Sequence, residues 1–391
     1  MHRSIVSLFT LLFLGLTATA GAVAAQTIIP SPPQLAAQAY LLMDADSGKI
    51  LVDQNGSQRV PPASLTKIMT SYVAAAELAR GSIKLDDPVD ISVNAWRMGG
   101  SRMYVQEGTK VSLRDLLRGI IIQSGNDASV AIAEHIAGSE GAYVDIMNQQ
   151  AKLLGMKDTQ FNNATGWPDE SHYTNAIDMA ILTVALIKDF PDHYGMYAEK
   201  YFSYNNIRQP NRNSLLWRDK SVDGVKTGHT DAAGYCLVTS ATRQGMRLIS
   251  VLMGAKSEEV RATESQKLLT YGFRFFETHK LYDADTGLSN NRIWGGIAES
   301  IDLGLEKEVV ITIPRGMKKE LSAKMEIDSV IEAPIEAGAR FGNLTISLRD
   351  DVIYEAPLTA LRSIPESGFF SNSWDDIHLF FLQLFALDTL H

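Results

Sequence analysis

The hydrophobic pattern along residues 39–53 is that of a β-hairpin. Tyr40-Leu41-Leu42-Met43 and Ile50-Leu51-Val52 are apolar runs, and Asp46-Ser47-Gly48 between them is turn chemistry. Pro61-Pro62 ends any regular structure. The stretch 64–80 has no internal Gly or Pro and stops at Gly81, which predicts a helix. Stretches 112–123 and 127–137 predict two more helices, broken by Ser124-Gly125-Asn126, and 175–188 predicts another. Three strands follow at 222–227, 235–241 and 247–253, the last two joined around Gln244-Gly245. Residues 258–279 predict one long amphipathic helix. A hairpin and helices early, with antiparallel strands late, give an α+β fold.

After about Asp285 the text changes. Residues 287–296 are rich in Gly, Asn and Ser and suit a linker. Val309-Val310-Ile311-Thr312-Ile313 and Leu344-Thr345-Ile346-Ser347-Leu348 are strand-like, and the second turns at Arg349-Asp350-Asp351 into Val352-Ile353-Tyr354. This predicts a small all-β domain over 289–364. At the far end, Phe369, Phe370, Trp374, Ile377, Phe380, Phe381, Leu384 and Phe385 fall within about 160° of a helical wheel, the shape of an interfacial helix. No Lys or Arg follows Arg362, whereas Asp375, Asp376 and Asp388 do, so membrane contact through 369–391 would rest on aromatic burial. At the start, His2 and Arg3 precede an apolar stretch over 5–16 and a small-residue end, Ala22-Val23-Ala24-Ala25. These are the three parts of a secretory signal peptide, so the mature chain is expected to be exported. The expected organisation is therefore a leader over 1–25, a main domain over 26–288, the β domain, and a tail over 365–391.

Composition narrows the function classes. The 391 residues carry 36 Lys+Arg and 45 Asp+Glu, a net charge of −9, which disfavours nucleic acid as a partner. A 45% hydrophobic content excludes a disordered chain. One cysteine, Cys236, forms neither an internal disulfide nor a multi-thiolate metal site and is read as a buried structural thiol. The eight histidines include no H-x-x-x-H pair, so neither a metal nor a cofactor is expected.

Three short motifs carry candidate chemistry. Ser64-Leu65-Thr66-Lys67 is an S-x-x-K at a helix start, where residues three apart share a face. A serine hydroxyl is a weak nucleophile until a base takes its proton, and Lys67 serves only if burial or a neighbouring cation keeps it neutral. The same four residues also describe a solvated helix start, with Ser capping and Lys in water. Ser124-Gly125-Asn126 lies in a tight inter-helix break; its hydroxyl and amide suit a cleft, and equally an N-cap. Lys226-Thr227-Gly228, followed by His229, closes a strand. There Lys226 would supply a cation, Thr227 a donor to a carboxylate, and Gly228 room for substrate. Singly each motif is weak. Their order is not: S-x-N comes 60 residues after the serine motif and K-T-G 102 residues further on, each in its required structural context.

On these residues the chain resembles the low-molecular-mass penicillin-binding proteins that are D-alanyl-D-alanine carboxypeptidases. The phrases that carry the resemblance are Pro62-Ala63-Ser64-Leu65-Thr66-Lys67-Ile68-Met69-Thr70, Gln123-Ser124-Gly125-Asn126-Asp127-Ala128 and Asp223-Gly224-Val225-Lys226-Thr227-Gly228-His229-Thr230. Asn211-Arg212-Asn213-Ser214-Leu215-Leu216-Trp217 adds to it. The resemblance implies a penicillin-recognising domain, a β-rich domain and an amphipathic tail, located at the periplasmic face of the inner membrane. It implies a peptidoglycan stem peptide ending in D-Ala-D-Ala as substrate and β-lactams as covalent inhibitors. Ser64 would be the nucleophile and Lys67 its base, with Ser124 and Lys226 steering the proton. Asn126 would position the peptide, Thr227 and Arg212 would hold its carboxylate beside Gly228, and the backbone N–H groups of Ser64 and His229 would form the oxyanion hole. Asp178 is expected to orient Arg212. The alternatives are a D,D-endopeptidase and a class A-like β-lactamase. The latter needs a glutamate-bearing loop, and Glu170 in Trp167-Pro168-Asp169-Glu170-Ser171 lacks the surrounding pattern.

Overall fold

The computed structural model describes residues 29–367, so the expected leader over 1–25 and the aromatic segment 369–391 lie outside the described residues. The first hairpin forms from β1 (Ala39–Asp44) and β2 (Ile50–Gln54). A 3-10 turn over Ala63–Leu65 leads into α1 (Thr66–Arg80), which stops at Gly81 in the left-handed region. Short elements β3 (Pro88–Asp90), α2 (Val93–Arg97) and β4 (Lys110–Ser112) come next. The helix expected over 112–123 is α3 (Leu113–Arg118) continued by one π turn, Gly119–Gln123, that ends on Ser124 at φ +65°. Then come α4 (Asn126–Ala137), α5 (Glu140–Leu153), α6 (Ala176–Asp189) and α7 (Pro191–Tyr194). A ribbon of β5 (Tyr201–Tyr204) and β6 (Ile207–Pro210), with α8 (Leu215–Arg218), precedes β7 (Val222–Thr230), β8 (Gly234–Arg243) and β9 (Met246–Ala255). The expected turn at Gln244-Gly245 has both residues at positive φ, +51° and +80°.

Strands β2, β1, β9, β8 and β7 form one antiparallel sheet in that order. The period of two along each strand sends side chains into two separate cores. Leu41, Met43, Cys236, Val238, Ile249 and Val251 join Ile68, Met69, Leu116, Ile132 and Leu182 of the helices. Tyr40, Leu42, Leu237, Leu248 and Leu252 face the other way, against Leu268, Leu269 and Phe273 of α9 (Glu258–Phe275). Each such side chain, when fully buried, contributes roughly 1.5–3 kcal/mol. Cys236 is buried among them, as expected, and burial pushes its thiol up to about 11.

Helix α9 is shorter than its sequence pattern predicts. It stops at Phe275, and 276–279 belong to β10 (Phe276–Tyr282). The reason is tertiary: Arg315 gives its N–H to the Phe275 carbonyl and its Nη2 to the Phe273 and Phe276 carbonyls, occupying the helix's orphan acceptors. The stretch read as a linker over 287–296 also carries a strand, β11 (Gly287–Arg292). It pairs with β12 (Ser300–Gly304), and β13 (Val309–Pro314) pairs with β10. With β14 (Leu321–Ile327), β15 (Arg340–Leu348) and β16 (Asp351–Ala360) these build an all-β unit around Ile301, Leu303, Ile313, Leu344, Ile346 and Leu358. No helix among the described residues is long and apolar enough to cross a membrane.

The two parts are joined by hydrogen bonds that converge on the first hairpin. The buried Asp44 carboxylate accepts the Asp46 and Ser47 N–H groups on Oδ1 and the Thr278 hydroxyl of β10 on Oδ2. Lys49 Nζ donates to the Thr312 carbonyl of β13 at 3.0 Å. Oδ1 also accepts the Ser47 hydroxyl, so Asp44→Ala strips the acceptor from four donors, and we expect it to lower stability by about 1–3 kcal/mol. Urea unfolding of the full chain measures this; an unchanged midpoint contradicts it.

Candidate active site

The nucleophile candidate sits on a turn that its neighbours force. Ser64 is the middle residue of the 3-10 turn and is half-buried. Ala63 before it has φ +48°, a left-handed conformation that costs energy for any residue with a Cβ. Two glycines press on this turn. A Cβ on Gly228 of β7 would lie 3.1 Å from the Pro62 oxygen, and one on Gly166 only 1.8 Å from the Ala63 oxygen. Side chains at either position would push the turn away, which gives the Gly of the K-T-G motif a steric reason.

Lys67 comes one helical turn later and is completely buried. Its Nζ lies 2.6 Å from Asn126 Oδ1, 2.5 Å from the Thr165 carbonyl oxygen and 3.1 Å from Ser64 Oγ. Asn126 cannot turn its amide round, because its Nδ2 donates to the Gly99 carbonyl at 2.8 Å. Two of the three neighbours of Nζ are therefore pure acceptors. A neutral amine has two hydrogens and one lone pair. The hydrogens meet the two carbonyl-type oxygens, and the lone pair is left facing the Ser64 hydroxyl.

Electrostatics bring that neutral form within reach near neutral pH. Burial, and secondly the Arg212 charge, bring Lys67 down to about 7, against the opposing pull of Asp127 and Glu140. Lys226 on β7 is pushed well below its usual value by burial, then by Lys67, Arg212 and Arg261. Its Nζ donates to Ser124 Oγ at 2.9 Å and to the Thr227 carbonyl at 2.8 Å. The loop that carries Ser124 and Asn126 is anchored by Asp127. That carboxylate accepts four backbone N–H groups, from Met103, Tyr104, Val105 and Ala128, at 2.8–3.2 Å.

The S-x-x-K, S-x-N and K-T-G motifs thus come together around one small cavity of about 170 Å3. Ser64, Ser124, Arg212, Thr227, Gly228 and His229 line it. Arg212 reaches it from between two buried asparagines: Asn211 Nδ2 donates to the Glu199 carbonyl and Asn213 Nδ2 to the Gly224 carbonyl. The expected partnership of Asp178 with Arg212 is overturned. Asp178 accepts the Asp158 N–H and the Thr159 hydroxyl, and the negative group facing Arg212 is Glu258. Glu170 is exposed and does not line the cavity.

Sequence reasoning missed several participants. Glu258, Arg261 and Tyr235 line the cavity beside His229, whose ring stacks on Tyr235 at 3.9 Å. Arg261 is buried and reaches the Gly228 carbonyl at 3.4 Å. On sequence they are ordinary residues of an amphipathic helix and a strand. Thr165 contributes only a main-chain oxygen, which no motif records.

Comparison with known proteins fits this geometry. A family model described as D-alanyl-D-alanine carboxypeptidase matches residues 26–257, and one described as penicillin-binding protein 5, C-terminal domain, matches 276–366. The chain is 44% identical over 369 residues to D-alanyl-D-alanine carboxypeptidase DacA of Escherichia coli strain K12, covering 92% of each chain. It is similar to the crystal structure of penicillin binding protein 5 from Haemophilus influenzae, with TM-score 0.84, 44% identity, and coverage of 86% of this chain and 100% of that one. It is also similar, with TM-score 0.58 and 29% identity over 62% of this chain and 100% of the other, to penicillin-binding protein D2 from Listeria monocytogenes in the ampicillin bound form.

Gly166→Ala adds a methyl group 1.8 Å from a backbone oxygen at a residue with φ +82°. We expect it to destabilise the chain by about 3 kcal/mol or more. Gly155→Ala, at φ +80° with open space around the added carbon, is the control and should lose only about 1 kcal/mol. Denaturant midpoints of the two variants decide; equal losses contradict the clash.

Proposed function

The chain belongs to the D-alanyl-D-alanine carboxypeptidase family, and we propose that Ser64 is the nucleophile with which it removes the terminal D-Ala of peptidoglycan stem peptides. The observation that carries this reading is the buried Lys67 Nζ lying 3.1 Å from Ser64 Oγ, its value lowered to about 7, so that the neutral amine is available as a base. The Ser64 proton passes to Lys67 Nζ while Oγ attacks the carbonyl of the penultimate D-Ala. The backbone N–H groups of Ser64 and His229 receive the developing oxyanion, each a contribution of roughly 3–4 kcal/mol in other hydrolases. As the tetrahedral adduct collapses, the C–N bond breaks. The leaving amine takes up the proton through Lys67, Ser124 and Lys226; the Lys226 Nζ and Ser124 Oγ atoms are already hydrogen-bonded. Water then hydrolyses the ester and frees Ser64.

Substrate orientation follows from the walls of the cavity. Arg212 and Thr227 hold the terminal carboxylate, where a guanidinium can bind both oxygens. We also assign the positioning of the peptide to Asn126, which lies just behind the cavity lining with its amide held by Lys67 and Gly99. A β-lactam presents a strained amide and a carboxylate to the same groups and acylates Ser64. We further infer that the chain is exported and works at the periplasmic face of the inner membrane, held peripherally through 369–391; the signal-like start and the aromatic face of that segment support this.

Two measurements test the reading. Wild-type chain releases free D-Ala from a pentapeptide ending in D-Ala-D-Ala and is labelled covalently by a fluorescent penicillin. Ser64→Ala loses both, with activity falling at least ~10^3-fold. Labelling that survives in Ser64→Ala overturns the assignment. The pH dependence of acylation gives the second test. Only neutral Lys67 accepts a proton, so the acylation rate rises with pH through the lysine's value of about 7 and levels off above it. Arg212→Gln removes a cation that lowers that value, so the rising limb shifts to higher pH. An unshifted limb contradicts the coupling.

A further inference from the structure

One buried titratable side chain beside the reacting helix is not used in the scheme above. His172 is 3% exposed. Its Nδ1 accepts the backbone N–H of Asn162 at 3.3 Å, and its Nε2 lies 2.8 Å from Thr66 Oγ1. A ring nitrogen that accepts an N–H carries no hydrogen of its own, so the proton of the neutral ring is on Nε2. Nε2–H therefore donates to Thr66 Oγ1. The Thr66 hydroxyl has a single hydrogen and gives it to the Ala63 carbonyl at 2.9 Å. The direction of both bonds is thus fixed, and the relay ends on the residue immediately before Ser64.

That residue is the strained one, at φ +48°. A left-handed alanine persists only where its surroundings over-determine it. Gly166 and Gly228 confine the turn sterically, but they only push. Attraction comes from Thr66, whose backbone N–H and side-chain hydroxyl both donate to the Ala63 carbonyl; His172 orients the hydroxyl, which would otherwise rotate. We propose that His172 is a positioning residue: acting through Thr66 it holds the Ala63 carbonyl, and with it the turn that aims the Ser64 hydroxyl at Lys67. The proposal rests on the reading of Ser64 as nucleophile. The ring stays neutral throughout the range in which Lys67 becomes a base. Burial holds it down to about 4, with the charge of Lys67 adding to the effect and Asp169 opposing it. The ring also packs edge-on against Phe161 at 5.7 Å, so a purely space-filling role is the competing account.

The two accounts separate by substitution in the full chain. His172→Phe keeps an aromatic ring and removes the relay. Thr66→Val keeps the volume and removes the hydroxyl. His172→Gln keeps one donor and one acceptor at the end of the side chain. The readout is the second-order rate constant for Ser64 acylation by a fluorescent penicillin, taken with kcat and KM for a D-Ala-D-Ala pentapeptide. We expect His172→Phe and Thr66→Val each to slow acylation and kcat by about 10–100-fold with KM within about twofold, since a small misplacement of a reacting group costs that much. We expect His172→Gln to return to within about threefold of wild type. The double variant should be no slower than the worse single one, because both remove the same relay. Wild-type acylation by folded His172→Phe overturns the proposal, as does full additivity in the double variant. If His172→Phe fails to fold by circular dichroism, Thr66→Val alone decides, and wild-type acylation there is equally fatal. Labelling that persists in Ser64→Ala overturns the nucleophile assignment, a separate failure.

Discussion

Lys67 is an amine sealed in the interior with neutral oxygen atoms as its hydrogen-bond partners. A drop from the ordinary lysine value to about 7 corresponds to roughly 5 kcal/mol against the charged form. Everything that makes the site reactive depends on maintaining that isolation. If α1 or the loop carrying Thr165 moved enough to admit water, the amine would recover its proton and face Ser64 with a hydrogen instead of a lone pair. The surroundings are correspondingly rigid. Asn126 is fixed by Gly99, Thr165 is held in a loop whose Asn163 side chain accepts from three successive backbone N–H groups, and Asp127 ties down the loop over 103–105.

The second lysine turns isolation into a coupled property of the site. Lys67 lowers Lys226, and Arg212 lowers both. The cationic side chains at this cavity face one carboxylate among the residues that line it, Glu258, and it belongs to the mouth, beside Arg261 at 3.4 Å. On the proposed reading, a substrate carboxylate held by Arg212 and Thr227 arrives in a field that already favours it. The charge of Arg212 thus bears on both lysines at once.

The parts legible in the sequence are those that local chemistry determines. The hairpin at 39–53, the helix start at Ser64, the break at Ser124 and the strand at Lys226 all carry their own turn residues and apolar periods. Illegible parts are those that another segment decides. Residues 276–279 continue a helical pattern, but Arg315 caps the helix at Phe275 and β13 pairs with the residues beyond it. The Asn-rich stretch of β11 is an edge strand whose side chains are mostly at the surface, so it lacks an apolar period. Asp178 lies in the first turn of α6, and its carboxylate serves the neighbouring loop, not a distant arginine. His172 meets Thr66 across 106 positions, and Thr165 acts through its main chain. Neither could be found without the fold.

The same geometry separates this site from that of an enzyme that hydrolyses penicillins. Rapid hydrolysis of an acyl-serine requires a base able to activate water beside the ester. In the β-lactamase alternative a carboxylate on the loop opposite Lys67 would do this. Here that loop presents the Thr165 carbonyl to Lys67, and Glu170 further along it is exposed. Glu140 accepts the Ala164 N–H at 2.9 Å and lines a different cavity, with Asn94, Arg97 and Glu134. On the proposed mechanism, the base for a water attacking the acyl-enzyme is one of the lysines. A D-Ala leaving group diffuses away. The amine released from a β-lactam stays tethered to the acyl group, so it remains in the space the water would need. On the proposed mechanism, acylation by a β-lactam follows from the same arrangement that processes D-Ala-D-Ala.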